Sequence, residues 1–358
     1  MYFDVAPKEA MEDLFDRADE LKLLLSSVKK PLVILTGLRR TGKTSLMKVG
    51  LGQAAYPYVI VDARGIPVNP SKKDVLKRFE IAFNNARKDW LNSIKKLLGG
   101  IRGIQAAGFG LSFSWGKEAV DMQEIFDAVN RWARGKNVRF ILAIDEVQEL
   151  RGFKDLLKLL AHIYDYNRQT TVILTGSQVG LLHDFIGIED ASSPLYGRHR
   201  VEIPLSKFSP EQSKEFLLKG FEQASVKPDK EVLEFAIEEL DGIVGWLTEF
   251  GASALEKGVK RKVVDQVIGE GIKLTLKELE SLFRASPRYK VIFKTLALGP
   301  ATWSEVKGRI DAQEGREVAN STFNDLLSNL VDRGYVEKSN EAYQITDSLL
   351  RRAARKLT

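Results

Sequence analysis

A chain of 358 residues, 44% of them hydrophobic and 28% charged, is too long for one ordinary core and has the make-up of a globular protein of two or three domains. Zero cysteines and three histidines exclude disulfides and thiolate zinc sites and leave little for a transition metal. The net charge of +6 fits either a solvated surface of mixed sign or contact with nucleic acid, and charge alone does not separate the two. No stretch approaches the roughly 20 apolar residues of a membrane span. The start, Met1-Tyr2-Phe3-Asp4-Val5, lacks the basic and apolar regions of a secretory signal. A cytoplasmic location without membrane contact is the expectation, and abundant Lys and Glu without Cys lean towards a thermophile.

Met11 to Lys29 reads as one amphipathic helix, with Leu14, Leu21, Leu24 and Leu25 on one face. A strand follows at Leu32–Leu35. Gly37-Leu38-Arg39-Arg40-Thr41-Gly42-Lys43-Thr44, continued by Ser45, then fits G-x-x-x-x-G-K-[ST], the P-loop or Walker A pattern. Its glycines let successive N–H groups curl into one anion-binding concavity. The helix expected from Lys43 to about Gly50 aims its positive end at the same place. Lys43 is placed to reach β- and γ-phosphates and the Thr44 hydroxyl to ligate Mg²⁺. A glycine turn with an incidental lysine is the competing reading, and it leaves the strand before and the helix after unexplained.

Tyr58–Asp62 is a second strand, and Ser71 caps one helix that extends to about Leu98. Gly99 to Gly116 is apolar, glycine-rich and partly alternating, the pattern of a hairpin. Either it folds onto its own domain or, if exposed, it is a contact patch for a partner. Asp121–Arg134 is a helix. The apolar run Val138–Ile144 then ends in Asp145-Glu146, a strand buried on both faces that delivers two acids where parallel sheets bind ligands. This is a Walker B element. Asp145 is expected to hold Mg²⁺ through a water, and Glu146 to orient and deprotonate the attacking water.

A helix at Phe153–Arg168 leads to a strand at Thr171–Thr175 and to Gly176-Ser177-Gln178. Ser193-Pro194-Leu195-Tyr196-Gly197-Arg198-His199-Arg200 precedes the last strand, Val201–Leu205. Helices dominate from there. Ser209, Pro210 and Gln212 form the start of one, and Asp229–Leu240, Leu247–Lys257 and Val263–Phe283 follow. Three further helices, Tyr289–Leu298, Ser304–Ile310 and Ser321–Arg333, precede a short hairpin around Asn340.

These motifs together resemble the archaeal ATPase family of AAA-type P-loop ATPases, which borders the STAND signalling ATPases. The segment Leu14-Phe15-Asp16-Arg17-Ala18-Asp19-Glu20-Leu21 is similar to the family's F-x-x-R-x-x-E-L opening, with Leu14 at the phenylalanine position. That implies contact with the adenine base, Arg17 included; without the family it is an amphipathic helix start. Ser177 matches the sensor-1 position, with Gln178 as second choice and a simple helix cap as the alternative. Pro194–Arg198 matches P-L-Y-G-R, which implies that Arg198 faces a phosphate of its own or a neighbouring subunit. Arg200 is the substitute, and a merely solvated loop arginine the other reading. The turn Asp241–Leu247 is similar to G-x-P-x-W-L, with Val244 at the proline position, and implies that Trp246 lies near the nucleotide.

The resemblance implies an α/β fold: a three-layer αβα parallel-sheet core at 1–203, a helical lid at 204–275 and a winged helix at 276–358. It further implies ATP and ADP as ligands, Mg²⁺ as cofactor, and hydrolysis coupled to lid and winged-helix movement. Duplex DNA and a protein are the candidate partners of the winged helix, and homo-oligomerisation stays open. Ser281–Thr358 carries 13 basic against 9 acidic residues, four of the basic ones in the tail Arg351-Arg352-Ala353-Ala354-Arg355-Lys356. The expected recognition helix has Asp325 and Asp332 against Arg333, with Asn320, Asn324 and Asn329 as its possible base readers. The alternative is a slow nucleotide-dependent switch or scaffold; a P-loop kinase ranks third.

Overall fold

The computed structural model of the chain describes residues 1–67, 69–107, 110–114, 120–187 and 190–357. It divides into two units, one of Lys8–Gly37 with Lys43–Leu205, the other of Met1–Pro7 and Leu38–Gly42 with Ser206–Thr358. In the first, α1 (Ala18–Ser27), β1 (Leu32–Gly37), α2 (Lys43–Ala54), β2 (Tyr58–Asp62), α3 (Lys72–Asn84), α4 (Lys88–Leu98), β3 (Ile104–Ala107) and β4 (Gly110–Phe113) come first. Then follow α5 (Met122–Gly135), β5 (Phe140–Asp145), α6 (Asp155–Tyr166), β6 (Thr170–Gly176), α7 (Val179–Ile186) and β7 (Val201–Leu205). Five strands form a parallel sheet in the order β2-β5-β6-β1-β7.

Residue chemistry sets that order. β5 and β6 are buried along their whole length, as central strands of a covered parallel sheet must be. β2 and β7 include residues that are only partly buried and lie at the edges. The two-residue period sorts side chains into two layers. Leu32, Ile34, Phe140, Leu142, Ile144, Val172 and Leu174 join the core under α3, α5 and α6. Val33, Leu35, Ile141, Ala143, Ile173 and Ile203 join the core under α1 and α2. The αβα arrangement is thus written in alternate residues of each strand.

Two local expectations change, and one open alternative is decided. The first helix starts at Ala18, not Met11: a 3₁₀ turn covers Met11–Asp13 and Asp16 takes a left-handed φ of 48°, which breaks the run. The helix after the Ser71 cap is two helices, because Asn84 turns its amide to the hairpin and Asn85 ends the first. That hairpin, β3 with β4, is folded onto its own unit rather than offered as a contact patch. Ile104, Leu111 and Phe113 are buried, Asn84 exchanges two bonds with Leu111 at 2.8 and 2.7 Å, and Phe113 N donates to Glu80 at 2.8 Å. Gly108, Phe109, Trp115 and Gly116 lie outside the described residues.

In the second unit come α8 (Pro210–Gln223), α9 (Lys230–Leu240), α10 (Val244–Lys257), α11 (Arg261–Ala285) and α12 (Arg288–Ala297). They are followed by β8 (Ala301–Thr302), α13 (Trp303–Glu314), α14 (Asn320–Asp332), β9 (Val336–Ser339), β10 (Ala342–Ile345) and α15 (Ser348–Arg355). Helices α12–α14 and the sheet β8-β10-β9 enclose the core of a winged helix. The boundary expected between 275 and 276 falls inside α11, which runs through it unbroken. The basic tail is structured. It forms α15, with Arg352 paired to Glu239 and Arg355 Nε donating to Ala297 O at 3.0 Å.

Phe3 plugs the helices at the start of this unit. It is 4% exposed, with ring centroids 4.9 Å from Phe221 and 5.7 Å from Phe216. Gly220 and Gly251 make the slot: a Cβ on either would stand 2.2–2.3 Å from the ring. Phe3→Ala is expected to cost about 3–5 kcal/mol in urea unfolding. Gly220→Ala should destabilise the wild type by collision, yet stabilise the Phe3→Ala protein by up to about 1 kcal/mol, since Ala is the better helix former.

Candidate active site

β1 ends at Gly37, whose φ of 140° only glycine takes readily, and α2 begins at Lys43. Lys43 is 4% exposed, and its ammonium donates to Gly37 O at 2.9 Å, closing the loop on itself. At the next residue, the Thr44 hydroxyl donates to Asp145 Oδ2 at 3.0 Å. The Walker A helix and the Walker B strand therefore meet through one hydroxyl and one carboxylate. Asp145 is 2% exposed, and burial pushes its carboxyl above the usual range, with the neighbouring Glu146 adding to the rise and hydrogen bonds from Thr175 and Thr44 opposing it.

Glu146 departs from the strand in a left-handed conformation, φ 54° and ψ 49°. Its N–H donates to Thr175 Oγ1 at 3.0 Å, while the Thr175 hydroxyl bonds Asp145 Oδ1. Glu146 Oε2 accepts from Ser177 Oγ at 2.7 Å, Ser177 N at 3.2 Å and Gln148 Nε2 at 2.5 Å. Burial alone would raise its pKa. The nearby Lys43 charge and the bonds from Ser177 and Gln148 outweigh it and hold the carboxyl below its ordinary value. Two adjacent acids thus differ in opposite directions.

The donor set fits a hard divalent cation. A hydroxyl and a buried carboxylate 3.0 Å apart are the few protein oxygens Mg²⁺ takes when phosphates and waters fill its other positions. Such a cation would also reverse the upward push on Asp145. The P-loop backbone and Lys43 suit the phosphates themselves.

Three residues of the site, Arg64, Thr175 and Gln148, escape a reading of the sequence. Asp62 lies level with Asp145 in the sheet, so Arg64 reaches to 3.9 Å from Asp145 Oδ2, oriented by bonds to Asp62 at 2.7 and 2.8 Å. No local signal shows which strands are neighbours. Thr175 is visible as the polar end of its strand, and Gln148 as a polar residue inside Val147–Leu150.

The remaining expected residues divide. Ser177 gives its hydroxyl to Glu146 and does not cap α7, whose cap, Gln178, makes no side-chain capping bond, so the cap reading falls. Ser45 Oγ accepts from Lys8 N at 3.0 Å. Arg17 is buried and pairs with Glu20 at 2.9 Å, so these two motif residues bind each other. Arg198 is not brought to the acids. Val201 pairs level with Val33 and Leu205 with Gly37. The P-loop leaves at Gly37, so Arg198 and Arg200, ahead of Val201, start from the opposite edge, about 13 Å away along the strand. There Arg198 is bonded to Asp165 at 2.6 and 3.1 Å and to Pro194 O. In this placement its guanidinium is engaged by Asp165 and Pro194 at the amino end of β7.

Leu38–Gly42 belong with the second unit. Thr41 Oγ1 donates to Leu38 O at 2.8 Å. Arg39 donates to Glu278 of α11 at 2.5 Å and approaches the Tyr335 hydroxyl at 3.5 Å. The Arg40 guanidinium stacks 3.9 Å from the Trp246 ring centroid, and the Arg40 carbonyl accepts from Gly245 N at 2.9 Å. Burial pushes that guanidinium down, and Glu278 opposes the shift. Trp246 is 4% exposed and carries Arg40 on its face, which ties the ring to a residue of the P-loop.

A family model described as an ATPase domain predominantly from Archaea matches residues 14–250. A second, the MCM protein C-terminal winged helix-turn-helix domain, matches residues 284–346. Among solved structures, the chain is similar to a Walker-type ATPase of Pyrococcus abyssi, with 32% identity, a TM-score of 0.84, and coverage of 99% of this chain and 100% of that one. The Aeropyrum pernix Orc2 protein, solved in ADPNP and ADP complexes, shares the fold at 14% identity and a TM-score of 0.61, covering 98% and 96%. A comparison with curated proteins gives no match.

Lys43→Ala should raise the dissociation constant for ATP at least about tenfold, because a charge-assisted contact contributes about 1.5–3 kcal/mol. Calorimetry on the folded variant checks this, and unchanged affinity would remove Lys43 from the phosphate site.

Proposed function

We infer the division of labour in this site from its membership: the chain belongs to the family of ATPase domains found predominantly in Archaea, and it is an ATP-hydrolysing enzyme. One observation carries the assignment of roles, the Thr44–Asp145 bond at 3.0 Å that joins the two Walker elements. Backbone N–H groups of Gly37–Ser45 bind the phosphates, and Lys43 exchanges Gly37 O for phosphate oxygens. Thr44 and Asp145 would hold Mg²⁺, which would supply charge neutralisation at the phosphates. Glu146 accepts the proton of the attacking water as its oxygen bonds to the γ-phosphorus and ADP leaves. Ser177 steadies that carboxylate, and Arg17 with the Leu14–Leu21 segment takes the base end of the nucleotide.

Arg198 has one remaining catalytic role, on the nucleotide of a neighbouring copy, which makes a homo-oligomer the active form. Movement passes through Arg39 and Arg40: when the loop rearranges around phosphate, their bonds to Glu278 carry the change into α11 and the winged helix. The winged helix serves a protein partner better than base reading. Trp303 donates to Asn324 and Arg333 to Asn329, so two of the three candidate asparagines are committed internally. The slow-switch reading also has an observation in its favour: three donors on Glu146 Oε2 weaken it as a base.

Glu146→Gln is expected to keep ATP bound while turnover falls on the order of 10²–10⁴-fold. Asp145→Asn should weaken the Mg²⁺ dependence as well. A wild-type rate in Glu146→Gln would place the base elsewhere, and stimulation by duplex DNA in the same assay would restore the DNA role of the winged helix. For Arg198, specific activity should climb with protein concentration. A mixture of inactive Arg198→Ala and Lys43→Ala proteins should recover turnover, since arginine fingers contribute roughly 10³–10⁵ in rate. Equal loss in Arg198→Ala at every concentration, with no recovery on mixing, would refute the intersubunit role.

A further inference from the structure

Gln148 is fully buried at 0% exposure, on the 3₁₀ turn Val147–Leu150 that follows the two acids. Two of the other three residues on that turn, Val147 and Leu150, are apolar and buried in the core. A glutamine in such a place needs its amide satisfied. Only half of it is. Nε2 donates to Glu146 Oε2 at 2.5 Å, but Oε1 has no hydrogen-bond partner and lies against Gly176, where an added Cβ would stand 2.8 Å from it. The orientation is not open to reversal, because an ionised carboxylate only accepts, and a flipped amide would turn oxygen on oxygen.

An orphaned buried carbonyl costs stability, and a leucine of similar volume would fill the space without that cost. Packing therefore does not explain the residue. What the amide does accomplish is directional. Glu146 leaves the strand in a left-handed turn, so its backbone alone does not fix where its carboxylate points. Ser177 bonds Oε2 from the end of β6 through its N–H and hydroxyl, and Gln148 bonds the same oxygen from the 3₁₀ turn. All three of these bonds fall on Oε2. The two elements together pin one oxygen and leave Oε1 as the one to accept a proton.

We propose that Gln148 is a positioning residue for hydrolysis, which holds Glu146 Oε2 from a second element beside Ser177 and so aims Oε1 at the attacking water. Gln148 touches neither nucleotide nor water. Its whole effect passes through Glu146, so the proposal rests on Glu146 being the base.

Gln148→Leu and Gln148→Met, both apolar and close in volume, test it through steady-state hydrolysis, ADP affinity and thermal unfolding of the full chain. Expected is a kcat lower by roughly 10–100-fold, the scale on which small misplacements of reacting groups act. KM for ATP and the ADP dissociation constant should stay within about twofold, and Tm should hold or rise. Ser177→Ala and the Gln148→Leu/Ser177→Ala double variant complete a cycle, in which the combined loss should depart from the product of the single losses because both act on one oxygen. Unchanged kcat in a folded variant overturns the proposal, and so does a rise, which would make the amide a brake. Loss of kcat accompanied by a lower Tm and weaker ADP binding in both variants would reduce Gln148 to a structural part. Glu146→Gln separates the two levels: if it abolishes turnover while Gln148→Leu does not, the base stands and only the positioning role fails.

Discussion

Two consecutive carboxylates leave the end of one buried strand and have to behave differently, and the Thr175 hydroxyl is what lets them. It bonds Asp145 on one side and takes the N–H of Glu146 on the other. Side by side in a poorly solvated place, two like charges would each resist ionisation. The left-handed peptide at Glu146 turns the second acid away, towards Lys43 and Ser177, while the first stays facing Thr44. The opposite shifts of the two carboxyls follow from that single turn. It requires β6 to run beside β5, which the strand order supplies.

That order also explains why the P-loop and the acids share an edge. In a parallel sheet every strand delivers its carboxyl end to the same side. Gly37, Asp62, Asp145 and Gly176 end β1, β2, β5 and β6 respectively. Residues that precede a strand belong to the other edge, and Arg198 is one of them. Position in the chain near the last strand is therefore a poor guide to position near the nucleotide; the direction of the strand decides.

Much of this arrangement is legible in the residues themselves. Strand interiors of continuous apolar residues, the glycine spacing around Lys43 and the paired acids after Ile144 each reflect a local physical demand, and local demands leave local marks. Tyr58–Asp62 and Val201–Leu205 match their strands to the residue. The helical start at Met11 misleads because Leu14 does pack against the core although its backbone is not helical, so periodicity survives where helix does not. The contacts of Arg64 and Gln148 are hidden for another reason. Their partners are Asp145 across the sheet and Glu146 across a turn, and sequence records no distance between side chains. The basic tail hides its partners in the same way: Glu239 and the Ala297 carbonyl hold two of its four positive residues.

Helix α11 carries a mechanical consequence. At 25 residues it is a rod about 37 Å long, with no proline in it and no break where the lid and winged helix were expected to part. Glu278, which binds both loop arginines, sits in its last third, and Leu279 and Leu282 beyond it are set in the winged-helix core. Flexure cannot be taken up at its middle. Any tilt imposed near Lys260 has to reappear at Ser286 multiplied by the rod's length, so that a rotation of about 10° carries the far end about 6 Å. The two arginines grip this rod close to the end that is set in the winged-helix core, so loop and core are joined by a single stiff element.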